Sequence, residues 1–273
     1  MKLADALEIV VRSDPGLLRP HNEDAVFADA ALGLAVLADG MGGYNAGEIA
    51  SGMAIAVLAN AFGRFLPTWH PGTPGFADPG FASAYLRAEV EDANRAIYHA
   101  AQSQPQYAGM GTTLVLAWLH DNRLHVAHVG DSRLYRWRDG QLQQLTRDHS
   151  FLQEQIDSGL ISAEEARHSQ NRNLVTRALG VEAGVEVDIG EFEVCTGDIL
   201  LLCSDGLNDM IDDAEIALTL QALGRNLPLA ADQLIQMAND NGGRDNISLI
   251  LVGVGGNFTV DRSWWQKLKA FFA

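Results

Sequence analysis

Four short segments of this sequence share one design: an apolar, β-favouring run that ends or begins at an aspartate beside Gly, Ser or Asn. They are residues 34–43 (LAVLADGMGG), 124–133 (LHVAHVGDSR), 199–207 (ILLLCSDGL) and 243–252 (GRDNISLILV). Aspartate is seldom buried unless it is paired or bound to a metal. Asp39, Asp131, Asp205 and Asp245, all at the mouths of core strands, therefore point to carboxylates converging on hard cations, which take oxygen ligands.

Two neighbouring features extend this chemistry. Gly40, Gly42 and Gly43 follow Asp39 and let the backbone turn sharply and approach a ligand, to which a carbonyl could also bind. Residues 19–24 (RPHNED) supply Arg19, the preferred fork for a phosphate or carboxylate, and two acids, Glu23 and Asp24, just before a strand. Each segment alone has a plainer reading. Asp39-Gly40 is then a turn, 19–24 a solvated loop, Asp131 a partner for Arg133 or Arg136, and Asp205 and Asp245 strand-end residues. Five such segments in one chain favour a shared site. Two cations about 3.5–4 Å apart lower the pKa of a water enough to supply hydroxide near neutral pH. That chemistry suits phosphate monoester hydrolysis, whose uncatalysed rate is extremely slow.

The elements that must hold these residues follow from pattern. Short strands are expected at 8–13, 25–28 and 34–38, and helices at 46–65 and 81–102 around a Pro/Gly-rich loop at 67–79. A core strand at 112–119 leads to an expected meander, 124–129, 133–137 and 142–145, with Asp139-Gly140 as a hairpin turn. A polar helix at 151–168, strands at 185–194 and 199–203, helices at 213–223 and 229–239, and a last core strand at 247–254 complete the chain. Most strand connections are short and hairpin-like, hence antiparallel. The expected class is α+β, two antiparallel sheets with helices on their outer faces.

Composition narrows the partners. The 273 residues are 47% hydrophobic, ample for one large core, and the formal net charge is −16. An acidic chain is a poor binder of nucleic acid, which selects basic faces. The two cysteines, Cys195 and Cys203, lack metal-ligand spacing and suit a reducing, cytoplasmic setting. The first residues (MKLADALEIV) do not read as a signal peptide, and no run is expected to span a bilayer, which takes roughly 20 apolar residues.

The ordered set RPHNED, DGMGG…GEIAS, GTT, VGDSRLYR, LTRDHS, TRALG, SDGL and DNIS resembles the metal-dependent serine/threonine protein phosphatases of the type 2C class, in their compact bacterial form. The match runs from about residue 14 to 254. The resemblance implies a four-layer αββα sandwich with a two-metal centre, manganese or magnesium, at one end between the sheets. Asp39 would bridge the two cations and Gly40 would offer its carbonyl to one. Asp205 and Asp245 would complete the other, and Asp131, with Asp205 a candidate to share, would hold a third, weaker cation. Glu23 and Asp24 would orient waters, and Arg19 would grip the phosphate. Partners would be phosphorylated proteins and a cognate Ser/Thr kinase. Many eukaryotic relatives carry His after the Asp-Gly pair; here Met41 stands there, which leaves the proton donor open among a water, His21 and His149.

The catalytic domain is expected over 1–256, with a flap at about 147–180, rich in Arg, that modulates substrate choice and third-metal occupancy. The tail 257–273 (NFTVDRSWWQKLKAFFA) places Trp264, Leu268, Phe271 and Phe272 near one helical face. It either docks a partner, lies on a membrane, packs on the domain or stays a loose end. Two other functions compete: a silent phosphoprotein-binding module, which would require a lost metal ligand, and a small-molecule phosphatase.

Overall fold

The computed structural model describes residues 2–43, 46–70, 73, 75–76, 78, 80–162, 165 and 174–260. Its strands form two antiparallel sheets. The first has the order β1-β11-β10-β7-β8, from β1 (Leu7–Asp14), β7 (Arg133–Arg138), β8 (Gln141–Gln144), β10 (Ile199–Cys203) and β11 (Ile247–Val254). The second has the order β2-β3-β5-β6-β9, from β2 (Asp24–Asp29), β3 (Leu34–Met41), β5 (Leu114–His120), β6 (Arg123–Val129) and β9 (Asp188–Glu193), with the two-residue β4 (Gly111–Thr112) paired to β3. The helices are α1 (Leu3–Ala6), α2 (Ala46–Phe65), α3 (Phe81–Ser103), α4 (Phe151–Asp157), α5 (Asp205–Asn208), α6 (Asp213–Leu223) and α7 (Leu227–Asp240).

The layering explains why the core strands are apolar without interruption. Successive strand residues point to opposite faces, so a strand buried on both sides reads as a continuous hydrophobic run. On β3, Leu34, Val36 and Ala38 pack outward against Ala50, Ala54, Leu58 and Phe62 of α2 and Leu86 and Val90 of α3. Ala35 and Leu37 point inward, where they join Leu200, Leu202, Ile250 and Val252 of the other sheet. On the far side Leu201, Cys203, Leu249 and Leu251 pack against Ile216 and Leu220 of α6 and Ala230 and Leu234 of α7. The result is the four-layer αββα sandwich. Each Val, Leu, Ile or Phe side chain among them contributes about 1.5–3 kcal/mol by leaving water.

An 18-residue stretch within Ala46–Thr68 has a mean hydropathy of 1.5 and, by length and composition alone, could cross a bilayer. Here one face of it is packed on the six-stranded sheet.

The expected meander is corrected. β6 pairs with β5 and β9, whereas β7 pairs with β10 and β8, so residues 130–132 cross from one sheet to the other. Within the expected meander only β7–β8 is a hairpin. Its turn is the expected Asp139-Gly140, both at positive φ (50° and 80°), the backbone twist that a two-residue loop needs. The expected helix 151–168 stops at Asp157, ahead of Ser158 and a positive-φ Gly159; residues 163–164 and 166–173 lie outside the described set. The strand expected over 185–194 is limited to Asp188–Glu193, where it pairs with β6. The tail from 261 onward also lies outside the described residues.

Candidate metal centre and phosphate site

The register of the β2–β3 pair sets Asp24 directly opposite Asp39. Asp39 is fixed through its backbone: its N–H donates to Thr113 Oγ1 (3.0 Å), and its carbonyl accepts from Thr113 N–H (2.9 Å) and Thr112 Oγ1 (2.8 Å). Asp24 Oδ2 accepts from Ser204 Oγ (2.8 Å), which belongs to the other sheet's half of the site. Gly40 is required by space. A Cβ there would stand 2.2 Å from the Gly47 carbonyl oxygen at the start of α2 and 2.6 Å from that of Glu23.

The second sheet delivers Asp205 and Asp245. Asp205 follows β10 and opens the short α5, which the sequence pattern had not indicated; Asp245 lies two residues before β11. Their strand ends are drawn together closely, since a Cβ on Gly206 would meet the Asn246 carbonyl oxygen at 2.0 Å. Asn246, quoted only as part of a motif, ties the 19–24 loop across the gap. Its Oδ1 accepts from Glu23 N–H (2.8 Å), and its Nδ2 donates to the Pro15 and His21 carbonyls (2.9 Å each). Arg19 Nη2 donates to Asp245 Oδ2 at 2.6 Å.

Asp131 is buried in the 130–132 crossover. It pairs with neither arginine considered from sequence. Arg133 makes a fork on Asp148, with contacts of 3.0, 3.0 and 2.7 Å, and Arg136 donates to Gln143 Oε1 (2.7 Å). Asp131 and Asp205 line a cleft of about 510 Å³ together with Asp148, Asp209, Ser150 and Asn208. Sequence reasoning does not single out Asp148, because an Asp-His pair in a polar stretch carries no signal of its own; its partner Arg133 lies 15 residues back, across the β7–β8 hairpin.

The electrostatics of this cluster are those of carboxylates lacking counter-charge. Burial, then the charges of Asp24, Asp205, Asp131 and Asp245, push the Asp39 carboxyl well above its ordinary range. Asp205 is raised in the same way by burial and by Asp131, Asp209, Asp245 and Asp24. Asp24 and Asp131 are raised, burial again being the first cause. Glu23 is raised by burial against the opposing pull of Arg19. Asp24 Oδ1 and Asp205 Oδ1 are buried with no hydrogen-bond partner. Unpartnered buried carboxylate oxygens among like charges fit a hard divalent cation. Among the described residues no three side chains close into a ready-made metal cage. Asp245 is paired with Arg19, so a cation held by Asp245 would compete with that pairing.

The other candidates stand apart. His21 is exposed, and the His149 ring is committed to the Gly130 N–H and to Asp188. Cys203 faces an apolar layer that pushes its thiol up to about 12, so it stays protonated and unreactive. In the flap, Arg147 pairs with Asp157 and Arg177 with Glu186 and Asp188; Arg167 and Arg172 lie outside the described residues.

Known proteins resemble this chain in sequence and fold. The sequence model of the family "Protein phosphatase 2C" matches residues 20–248. The serine/threonine phosphatase stp of Listeria welshimeri is 40% identical over 244 residues, 88% of this chain and 93% of that protein. The catalytic domain of the serine/threonine protein phosphatase PstP, solved in complex with two manganese ions, superposes with a TM-score of 0.79 at 40% identity, covering 92% of this chain and 99% of that one. Stp1 from Staphylococcus aureus superposes at 0.82 with 37% identity, covering 94% and 98%.

Proposed function

Because this chain belongs to the protein phosphatase 2C family and is a metal-dependent serine/threonine protein phosphatase, we propose how its own residues divide the work of removing phosphate from phosphoserine and phosphothreonine. Asp39, Asp205, Asp245 and the Gly40 carbonyl would hold two cations, manganese or magnesium, and Asp131 with Asp205 a third. When bound, such cations activate water and stabilise negative charge on the phosphoryl group. Arg19 grips the phosphate and orients it. Glu23 and Asp24 accept hydrogen bonds from waters and set their direction. The His149 ring is engaged by the Gly130 N–H and Asp188 and His21 is exposed, so a water is assigned as the proton donor to the leaving serine or threonine oxygen.

The observation that carries this reading is the meeting of Asp24 and Asp39 from one sheet with Asp205 and Asp245 from the other, two of their oxygens buried and unpartnered. The phosphoproteins it acts on would be products of a Ser/Thr kinase of the same cell, met in the cytoplasm, where the unpaired thiols of Cys195 and Cys203 persist. The flap, whose described part leans on the 510 Å³ cleft through Ser150, Leu152 and Gln153, would select among substrates.

The test is phosphate release from a phosphothreonine and a phosphotyrosine peptide with Mn2+, with Mg2+ and with chelator. Metal-dependent release from the phosphothreonine peptide, silenced by Asp39→Asn, is expected. A folded protein releasing nothing under either metal, or an Asp39→Asn variant as active as the parent, overturns the assignment.

A further inference from the structure

Asp131 sits on a loop gripped by two histidines, and neither has a part in the site so far. His149 holds the residue before it at two points. Its backbone N–H donates to the Gly130 carbonyl (2.7 Å), and its ring Nδ1 accepts from the Gly130 N–H (3.0 Å). His128 holds the residue after it, with Nε2 2.8 Å from the Ser132 carbonyl. The two rings lie against each other, centroids 4.8 Å apart. Gly130 cannot be replaced by a side chain that would hold itself, because its φ is +107° and a Cβ would stand 2.7 Å from the Thr113 side chain. The position of Asp131 is thus set from outside the loop.

The hydrogen bonds fix the state of the His149 ring. Nδ1 accepts from a backbone N–H, so it carries no proton, and the ring proton is on Nε2. Nε2–H points to Asp188 Oδ2 at 3.2 Å. Arg177 Nη1, 3.1 Å from Nε2, is a donor facing a donor; it too is directed to Asp188, with Oδ1 at 2.9 Å. Asp188 lies on β9, opposite His128 of β6. The far end of the flap closes on the same point: Thr176 N–H donates to the His149 carbonyl (2.8 Å), and Phe151 N–H to that of Leu174 (2.9 Å). On its other side the loop continues to Asp39. Ser132 Oγ lies 2.7 Å from Thr113 Oγ1, which accepts from Asp39 N–H.

We propose that His149 is the positioning residue for Asp131: through Gly130 its Nε2–H tautomer sets where that carboxylate stands, and through Asp188 and Arg177 it ties the Asp131 loop to both ends of the flap. This rests on Asp131 being a cation ligand, as inferred above. Flap and third cation site then share one hinge, so a substrate that shifts the flap shifts Asp131.

The variants separate the two halves of the ring. His149→Asn places an acceptor near Nδ1, His149→Gln places an amide near Nε2, and His149→Ala removes both. In full-length protein with chelator, amide exchange at Gly130 is expected about tenfold faster in His149→Ala and His149→Gln, and near the parent value in His149→Asn. Ring nitrogen shifts of the parent should show Nδ1 unprotonated. The Mn2+ concentration for half-maximal turnover should rise about tenfold in His149→Ala, as in Asp131→Ala, with the peptide KM unchanged and rescue in His149→Asn. A protonated Nδ1, or Gly130 exchange indifferent to His149→Gln, overturns the proposal. So does an unchanged Mn2+ requirement in His149→Ala where Asp131→Ala raises it, an outcome that leaves the site assignment standing. An Asp131→Ala variant with an unaltered Mn2+ requirement overturns the assignment of Asp131 and the proposal with it. Should His149→Ala fail to fold, the comparison of His149→Asn with His149→Gln decides.

Discussion

Arg19 and Asp245 meet at 2.6 Å, guanidinium Nη2 to carboxylate Oδ2, across 226 residues of sequence. The side chain assigned to the phosphate is therefore already aimed at the carboxylates. Burial works against its charge, but Asp245 and, behind it, Glu23 and Asp205 hold the guanidinium firmly protonated. It is half-exposed, which leaves its remaining N–H groups for an incoming anion.

Arg19→Ala should raise the KM for a phosphothreonine peptide by about 10- to 100-fold, the worth of one or two charge-assisted hydrogen bonds, with kcat within about threefold. Steady-state kinetics at saturating Mn2+ decides. A large fall in kcat at unchanged KM would contradict a ground-state grip on the phosphate.

Asp39→Asn should abolish turnover and yet stabilise the chelated protein. It removes one charge from a group of buried carboxylates that repel one another. A midpoint gain of several degrees is expected, each kcal/mol being worth about 2–4 °C in a chain of this size. Differential scanning calorimetry with and without Mn2+ checks both signs, since added Mn2+ should stabilise the parent more than the variant.

That gain should depend on pH. Asp24 and Asp131 are pushed up to about 7 from an ordinary 3.8. A carboxyl with a raised folded-state pKa brings no penalty below about pH 4, where both states are protonated. The penalty grows as pH climbs from about 4 through 7 and the folded group must ionise. The advantage of Asp39→Asn in chelator should thus be largest near pH 8 and shrink toward pH 5. Buried histidines act oppositely on the absolute midpoint: His128, lowered to about 4, makes the folded state less stable as pH falls below 6.5. The variant-minus-parent difference cancels that contribution.

Gly40→Ala should destabilise by about 1–3 kcal/mol, because its Cβ meets backbone of Gly47 and Glu23 rather than a side chain that can yield. It should also raise the Mn2+ requirement, whereas Gly140→Ala, in open space at the β7–β8 turn, should leave that requirement unchanged. Isothermal titration with Mn2+ on both variants separates the two.

The sandwich was legible because its core strands are buried on both faces, which writes them as unbroken runs such as LAVLA and ISLILV. The helix 46–65 was legible from periodicity; the helix 213–223 opens on a capping box of Asp212 and Glu215. The crossover at Gly130 was not, since a short link between two strands reads as a hairpin whether the strands pair or part. The ligand candidates were visible as strand-end aspartates. Their organisers were visible only as motif members: Asn246, Ser204 and Thr113 act through contacts across 74 to 223 residues and Asp148 within an unremarkable polar stretch, so nothing local shows what each one holds.

The site straddles the seam of the sandwich, with Asp39 riding on one sheet and Asp205 and Asp245 on the other. Its ions would work as rivets whose holes align only when the two sheets are seated. A change deep in that seam, at Leu37, Leu202 or Ile250, touches no ligand. It would still surface as an altered appetite for metal, making the enzyme's cation requirement a gauge of how tightly its halves are pressed together.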